Sequence, residues 1–167
     1  MNPSGTTMQY QLAQLNIAQF RLPQEHPANA DFVNNLDRVN AIAESQPGFV
    51  WRFTGEGNDA LDVQAFADPL IAVNLSVWTD IQSLVKFVYR NDEHKQIMRR
   101  RKEWFDKLDF HMVLWWIEAG RIPSLDEAKI RLELLRRNGP TYAAFTFKQP
   151  FAPPTGELLN PFKDECA

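Results

Sequence analysis

The chain is poor in cysteine and histidine and has no long hydrophobic run. Each shortage excludes a class of function. Cys166 is the single cysteine of 167 residues. One thiol closes no intramolecular disulfide and supports no thiolate metal cluster, and a disulfide-free chain fits an intracellular compartment. The three histidines, His26, His94 and His111, show no metal-ligand spacing, so no metal is expected. No apolar stretch approaches the roughly 18 residues that cross a bilayer. The opening "MNPSGTTMQY" lacks the basic residues and apolar run of a signal peptide. The expectation is a soluble, cytoplasmic protein with no membrane partner. A P-loop, a GxGxxG turn and a nucleophile elbow are all absent. Net charge is −3, which gives no overall basic surface for nucleic acid.

What the chain does have is aromatic rings: five Trp and twelve Phe, which fill a core or line a cavity. Its length suits one domain with a single core. Residues 1–8 read as an unstructured start. "YQLAQLNIAQF" (10–20) alternates, with Ala13, Leu15 and Ile17 on one side and Gln14 and Asn16 on the other, the pattern of a half-buried strand. Phe32, Leu36, Val39 and Ala43 form a helical stripe in 30–46, closed by Pro47-Gly48. "FVWRFTG" (49–55) is a second strand, its alternation putting Phe49, Trp51 and Phe53 on one face. "LIAVNLSVW" (70–78) is a third. There Ile71, Val73, Leu75 and Val77 share one face, and Ala72, Asn74, Ser76 and Trp78 the other. Asp80 is placed to cap a helix, and 92–108 is a second helix or its continuation. "FHMVLWWIEA" (110–119) is a fourth strand. Ser124 and Glu127 form a capping box for a last helix, closed by Gly139-Pro140. Residues 142–151 suggest a short extra strand.

The order β-α-β-β-α-β is the split βαβ, ferredoxin-like pattern of the α+β class, here with an extra C-terminal helix. The domain spans 9–151, and a proline-rich tail spans 152–167. Two helices cover one face of such a sheet. The other face of the third strand is also non-ionic, so a homodimer with facing sheets is expected to bury it.

The segment "HKQIMRRRKEWF" (94–105) carries the most chemistry. On a helix over 92–108, His94, Ile97, Met98, Arg101, Trp104, Phe105 and Leu108 fall within an arc of roughly 120°. Arg99 and Arg100 then face solvent among mixed charges, the ordinary fate of a charge run. Arg101 faces inward, where a guanidinium needs a partner, a wet cavity or an anionic ligand. His94 is either a hydrogen-bonded core residue or a general acid/base. His111 opens a strand and is expected to meet solvent or a chain neighbour. His26 lies in a loop with the weakest claim. Asn74 and Ser76 interrupt an apolar strand. They form a structural network with Gln14 and Asn16 or the polar lining of a cavity between sheet and helices.

Four stretches together, "NLSVW" (74–78), "FVYRNDEHKQIMRRRKEWF" (87–105), "LWWIEAGRIPSLDEAKIRL" (114–132) and "NGPTYAAFTF" (138–147), resemble an uncharacterised family, a domain of unknown function in the dimeric α+β barrel superfamily. The resemblance spans about 10–150 and is most specific over 74–127. It implies the same fold and dimer and supplies no activity of its own. The superfamily includes cofactor-free monooxygenases of antibiotic biosynthesis, which oxidise phenolic or anthrone-like molecules. They carry an Asn and a Trp four residues apart near a strand end, and Asn74 and Trp78 share that spacing. Other members bind or degrade haem.

The expected function is therefore a cofactor-independent, monooxygenase-like reaction on a small aromatic ligand in an apolar pocket. Asn74 would hydrogen-bond a substrate oxygen or oxyanion, His94 would move a proton, and Arg101 would hold negative charge. Trp51, Trp78, Trp104, Phe105 and Ser76 would line the pocket. Two alternatives stand beside it. One is a haem-binding or haem-processing protein with His94 as ligand. The other is a non-catalytic dimeric module that binds a small molecule.

Overall fold

The computed structural model describes residues 8–154. The start at 1–7 and the tail from 155 onward lie outside the described residues. An antiparallel sheet carries the fold. β1 (Tyr10–Phe20) runs through its middle, between β3 (Ile71–Trp78) and β5 (Met112–Glu118). The short β2 (Phe49–Arg52) pairs with the outer side of β3, and a two-residue β4 (Phe105–Asp106) pairs with the far end of β1. The main strands thus run β2-β3-β1-β5. Helices follow β1 and β3, so the fold is the ferredoxin-like split βαβ of the α+β class, as the sequence pattern predicts.

The helices start where the sequence caps them. α1 (Ala30–Ser45) follows β1 through a 3-10 turn, Pro27–Asn29. Asp80 accepts a bond from the Ser83 amide at 2.7 Å and opens α2 (Ile81–Val85), which widens into a π-helical turn, Lys86–Arg90. Asn91 caps α3 (Asp92–Arg99) through the His94 amide at 3.0 Å, and α4 (Arg101–Trp104) follows at once. Ser124 caps the extra helix α5 (Leu125–Asn138) by accepting from the Glu127 amide at 3.1 Å. At Gly48 the backbone takes φ 89° between α1 and β2, with Ser83 and Thr79 occupying the space a Cβ would need. A side chain there has neither a relaxed backbone nor room.

The two faces of the sheet have different covers. Ala13, Leu15 and Ile17 of β1 share a face with Val73, Leu75 and Val77 of β3 and Val113, Trp115 and Ile117 of β5. Ala128, Leu132 and Leu135 of α5 lie on that face and are wholly buried. Each buried leucine contributes roughly 1.5–3 kcal/mol of transfer free energy. α5 does within one chain what a second sheet was expected to do. α1 and the helices after β3 roof the other face.

Three local expectations change. Strict alternation over 49–55 fails because β2 carries a bulge: Phe49 pairs with Trp78, Trp51 with Val77 and Arg52 with Ser76. One extra residue, Val50, flips everything after it. The helix expected over 92–108 breaks at Arg100 and ends at Trp104. Arg100 adopts φ −90°, ψ −1°, and Phe105 then turns into β4. The segment 142–151 forms isolated bridges, Phe145 with Leu114 and Ala144 with Thr141, in place of a strand. A tight Thr141–Ala144 turn and Pro150 leave no room for a ladder.

Candidate functional site

Between the sheet and its roof of α1 and α3 lies a cavity of about 260 Å³. Its floor is built from cross-strand pairs of β1 and β3: Gln14 with Ser76, Asn16 with Asn74, and Ala18 with Ala72. The alternation of both strands sends these side chains to one side and Leu15, Val73 and Leu75 to the other. The helical stripe of α1, from Phe32 through Leu36 and Val39 to Ala43, forms part of the roof.

Trp78 closes the apolar end. Its ring stacks on Phe87 at 5.5 Å and meets Phe49 edge-on at 5.4 Å. Its indole N–H donates to Ser76 Oγ at 3.0 Å, while Gln14 Nε2 donates to Ser76 Oγ and to Asn74 Oδ1, both at 3.3 Å. So the network and the cavity lining are one structure. Ser76 and Gln14 are 5% exposed. Asn74 is exposed on the same wall, so solvent reaches the floor there. Gln14 occupies the Asn74 oxygen and leaves its NH₂ group to a ligand.

His94 hangs from the first turn of α3, tilted against Phe87 at 4.7 Å. Its Nδ1 lies 2.9 Å from the Val88 carbonyl. A carbonyl only accepts, so Nδ1 carries the proton and Nε2 holds the lone pair. The π-helical turn matters here. It ends the preceding helix and leaves the Val88 carbonyl free to receive the imidazole. Burial pushes the His94 pKa below its ordinary value, against the opposing pull of Val88. The ring is therefore a neutral base at pH 7.

The three arginines of 99–101 have three fates. Arg99 is exposed. Arg100 pairs with Asp31 at 2.9 Å and Glu103 at 2.8 Å and lies 4.8 Å above the Trp104 ring, tying α4 to α1. It is more than the solvated charge expected of it. Arg101 is half-buried on the cavity wall. Among the described residues no carboxylate lies within ion-pair distance of it.

His94, Asn74, Arg101, Ser76, Trp78 and Phe105 all line this cavity. Trp51 and Trp104 do not. The bulge turns Trp51 onto the α5 side, against the core there. Trp104 is 1% exposed behind Phe32, 5.5 Å away, and sits beneath Arg100. Leu108, beyond the end of α4, also packs on the α5 side.

The sequence reading missed His111, which lines the cavity and is half-buried. Burial first, and then the nearby Arg101 charge, depress its pKa, while the Leu108 backbone opposes them. Asn40, 7% exposed on α1, and Arg52 and Asp59 at the β2 edge also contribute. Asn40 could have been found, because it stands one residue after Val39 on the inward stripe. His26 caps the 3-10 turn by accepting from the Ala28 amide at 3.1 Å and stays outside the site.

A family model covers most of this architecture. The chain belongs to the DUF3291 family, a domain of unknown function. The match runs over residues 11–160. No curated protein matches the chain. Several solved structures are similar at low identity. One is a conserved protein from Methanosarcina mazei Go1, 18% identical, covering 66% of this chain and 92% of its own, with a TM-score of 0.45. Another is SnoaB, a cofactor-independent oxygenase from Streptomyces nogalater, 17% identical, covering 67% and 95%, with a TM-score of 0.43. A third is PA3566 from Pseudomonas aeruginosa, 11% identical, covering 70% and 98%, with a TM-score of 0.44. Among the described residues of this DUF3291 chain, no helix is long and apolar enough to cross a membrane. Nor do three His, Cys, Asp or Glu side chains gather as a metal site would need.

Proposed function

We propose that the cavity is the active site of a cofactor-independent, monooxygenase-like enzyme that acts on a small aromatic molecule. One observation carries this reading: a neutral His94 and an Arg101 with no acidic partner among the described residues share a single cavity whose end is closed by rings. His94 Nε2 takes a proton from an activated carbon of the substrate. Arg101 offsets the negative charge that remains, and the Asn74 NH₂ group donates to a substrate oxygen. A conjugated carbanion gives an electron to dioxygen, and the two radicals combine to a peroxide. Histidinium returns its proton to give a hydroperoxide. The neutral imidazole then takes the second proton of the same carbon, the O–O bond breaks as the C=O bond forms, and the departing hydroxide takes that proton and leaves as water. A methylene thus becomes a carbonyl, with one oxygen atom in the product and one in water. The substrate supplies all the electrons.

His94 in the first turn of α3 and Arg101 at the start of α4 stand apart along the roof. A ring system of a few fused rings reaches between them and spreads the charge along its length. Haem fits these residues poorly. His94 has the free Nε2 and anchored Nδ1 of an axial ligand. Yet about 260 Å³ lies below the roughly 300–1,000 Å³ of sites for drug-sized ligands, and a porphyrin is a large ligand. A non-catalytic binding module would have no turnover and would tolerate His94→Gln without loss of ligand affinity.

The test is oxygen uptake with hydroxylated anthrones and naphthols, in chelator and without flavin. We expect oxygen consumption matched by product and lost in His94→Ala. Unchanged activity in His94→Ala, Asn74→Ala and Arg101→Ala alike would remove the proposal.

A further inference from the structure

We propose that Arg101 and His111 form an anion subsite at one end of the cavity, and that the ligand is an aromatic acid whose carboxylate docks there. This rests on the reading of the cavity as the ligand site and adds what the ligand must carry.

The chain path brings the two side chains together. Phe105 pairs with Phe20 at the end of β1, and the His111 carbonyl accepts from the Ile17 amide at 2.8 Å. Both ends of the 105–111 connection are thereby held to the same strand, three residues apart. Arg101 stands one helical turn before Phe105. The two side chains line the same cavity, and each lies within the electrostatic reach of the other.

The neighbours leave room for a charged group. Ala18 and Ala72 are the smallest pair of the floor, and they sit at this end. Phe32 and Phe105, 4.9 Å apart and edge-on, flank it. The other charges of the cavity lie elsewhere. Arg52 is already paired with Glu44. Asp59, whose carboxylate accepts from the Leu61 amide at 2.9 Å, stands by the β2 edge. β2 is two strands from β1, on the order of 10 Å. No acidic side chain of the described residues therefore neutralises Arg101. A half-buried guanidinium in that state is costly unless water or a ligand anion satisfies it. Its planar fork suits the two oxygens of a carboxylate. One side of the His111 ring engages the Leu108 backbone, and the other nitrogen makes a third contact once a bound carboxylate draws a proton onto it. At the far end, Trp78, Phe87 and Phe49 accept the ring. The cavity is thus bipolar, with rings at one end and the Arg101 cation beside an imidazole at the other.

Calorimetric binding of naphthoate and of naphthylmethanol to the full chain, without oxygen, tests the proposal. Naphthoate is expected to bind about ten-fold or more tightly than the alcohol. Arg101→Gln should erase that preference and leave the affinity for the alcohol unchanged. Arg101→Lys, which keeps the charge but not the fork, should retain part of it, and His111→Gln should lower it by a few-fold. Equal binding of acid and alcohol, no binding of either, or a preference that survives Arg101→Gln overturns the subsite. Acid-selective binding with no oxidation of any compound would uphold the subsite and remove the oxygenase reading. Oxidation of neutral phenols without acid preference would do the reverse.

Discussion

The two faces of one sheet are put to opposite uses. On the α5 side, Leu15, Val113, Trp115 and Leu132 pack with at most 1% exposure. On the α1 side, residues one position along the same strands, Gln14, Asn16, Asn74 and Ser76, border open space. Nothing in the backbone separates the two, since both follow from the two-residue repeat of a strand. What differs is the cover. α5 offers alanine and leucine to a leucine- and valine-rich surface. α1, α3 and α4 offer rings, a histidine and an arginine with no described carboxylate partner to a polar one. A sealed face contributes stability, and an incompletely filled face leaves a place for a ligand.

Changes on each face should therefore separate stability from ligand chemistry. The largest effect is expected from Leu132→Ala. A wholly buried leucine replaced by alanine costs about 2–5 kcal/mol. Denaturant unfolding would show it as a lower midpoint with the slope unchanged. Ligand affinity measured well below the transition should hold, and a parallel loss of affinity would break the separation. Next comes Arg101→Ala, which should lower oxygen uptake on the order of 10²-fold. Its unfolding midpoint should stay level, because no described carboxylate loses a partner.

A smaller effect follows from pH. Burial holds His94 and His111 below their ordinary pKa near 6.5. The unfolded chain then binds more protons than the folded one. Stability contributed by the neutral rings is present above about pH 6.5 and falls as the pH drops from there toward the depressed folded values. His94→Gln and His111→Gln should each flatten that decline in a pH series of unfolding curves. An unaltered slope in both would contradict the burial of the rings. The smallest effect belongs to Trp51→Phe. Ligand-induced quenching of tryptophan fluorescence should persist in it and vanish in Trp78→Phe, since only Trp78 of the two lines the cavity.

Much of this division could be read from the sequence. The alternation of 10–20 and 70–78 sorted both long strands onto the correct faces, and the stripe of α1 predicted its inward side. The helical phase of 92–105 set Arg101 apart from Arg99. Other features depend on distant partners or on local geometry without a sequence mark. Arg100 breaks its helix while bonded to Asp31, 69 residues earlier. Val50 looks like any strand residue, so its bulge carries no glycine or proline to announce it. His111 reaches the cavity because the connection before it is tied to β1 at both ends. The start and end of α5 were plain from its capping box and Gly139-Pro140, but the face it would cover was not. A helix shows which of its sides is apolar and not which surface that side will meet.

The bulge also makes the edge strand tolerant of a change in length. Val50 is 40% exposed and is the extra residue between the Phe49–Trp78 and Trp51–Val77 pairs. A chain one residue shorter at that position would regularise the ladder, with Phe49 still beside Trp78 and Trp51 still on the α5 side. The same deletion anywhere inside β1 or β3 would exchange cavity for core along the rest of the strand. Trypsin resistance of the two shortened chains would tell them apart. Length variants in this family should therefore be sought at the outer edge of the sheet and not at its centre.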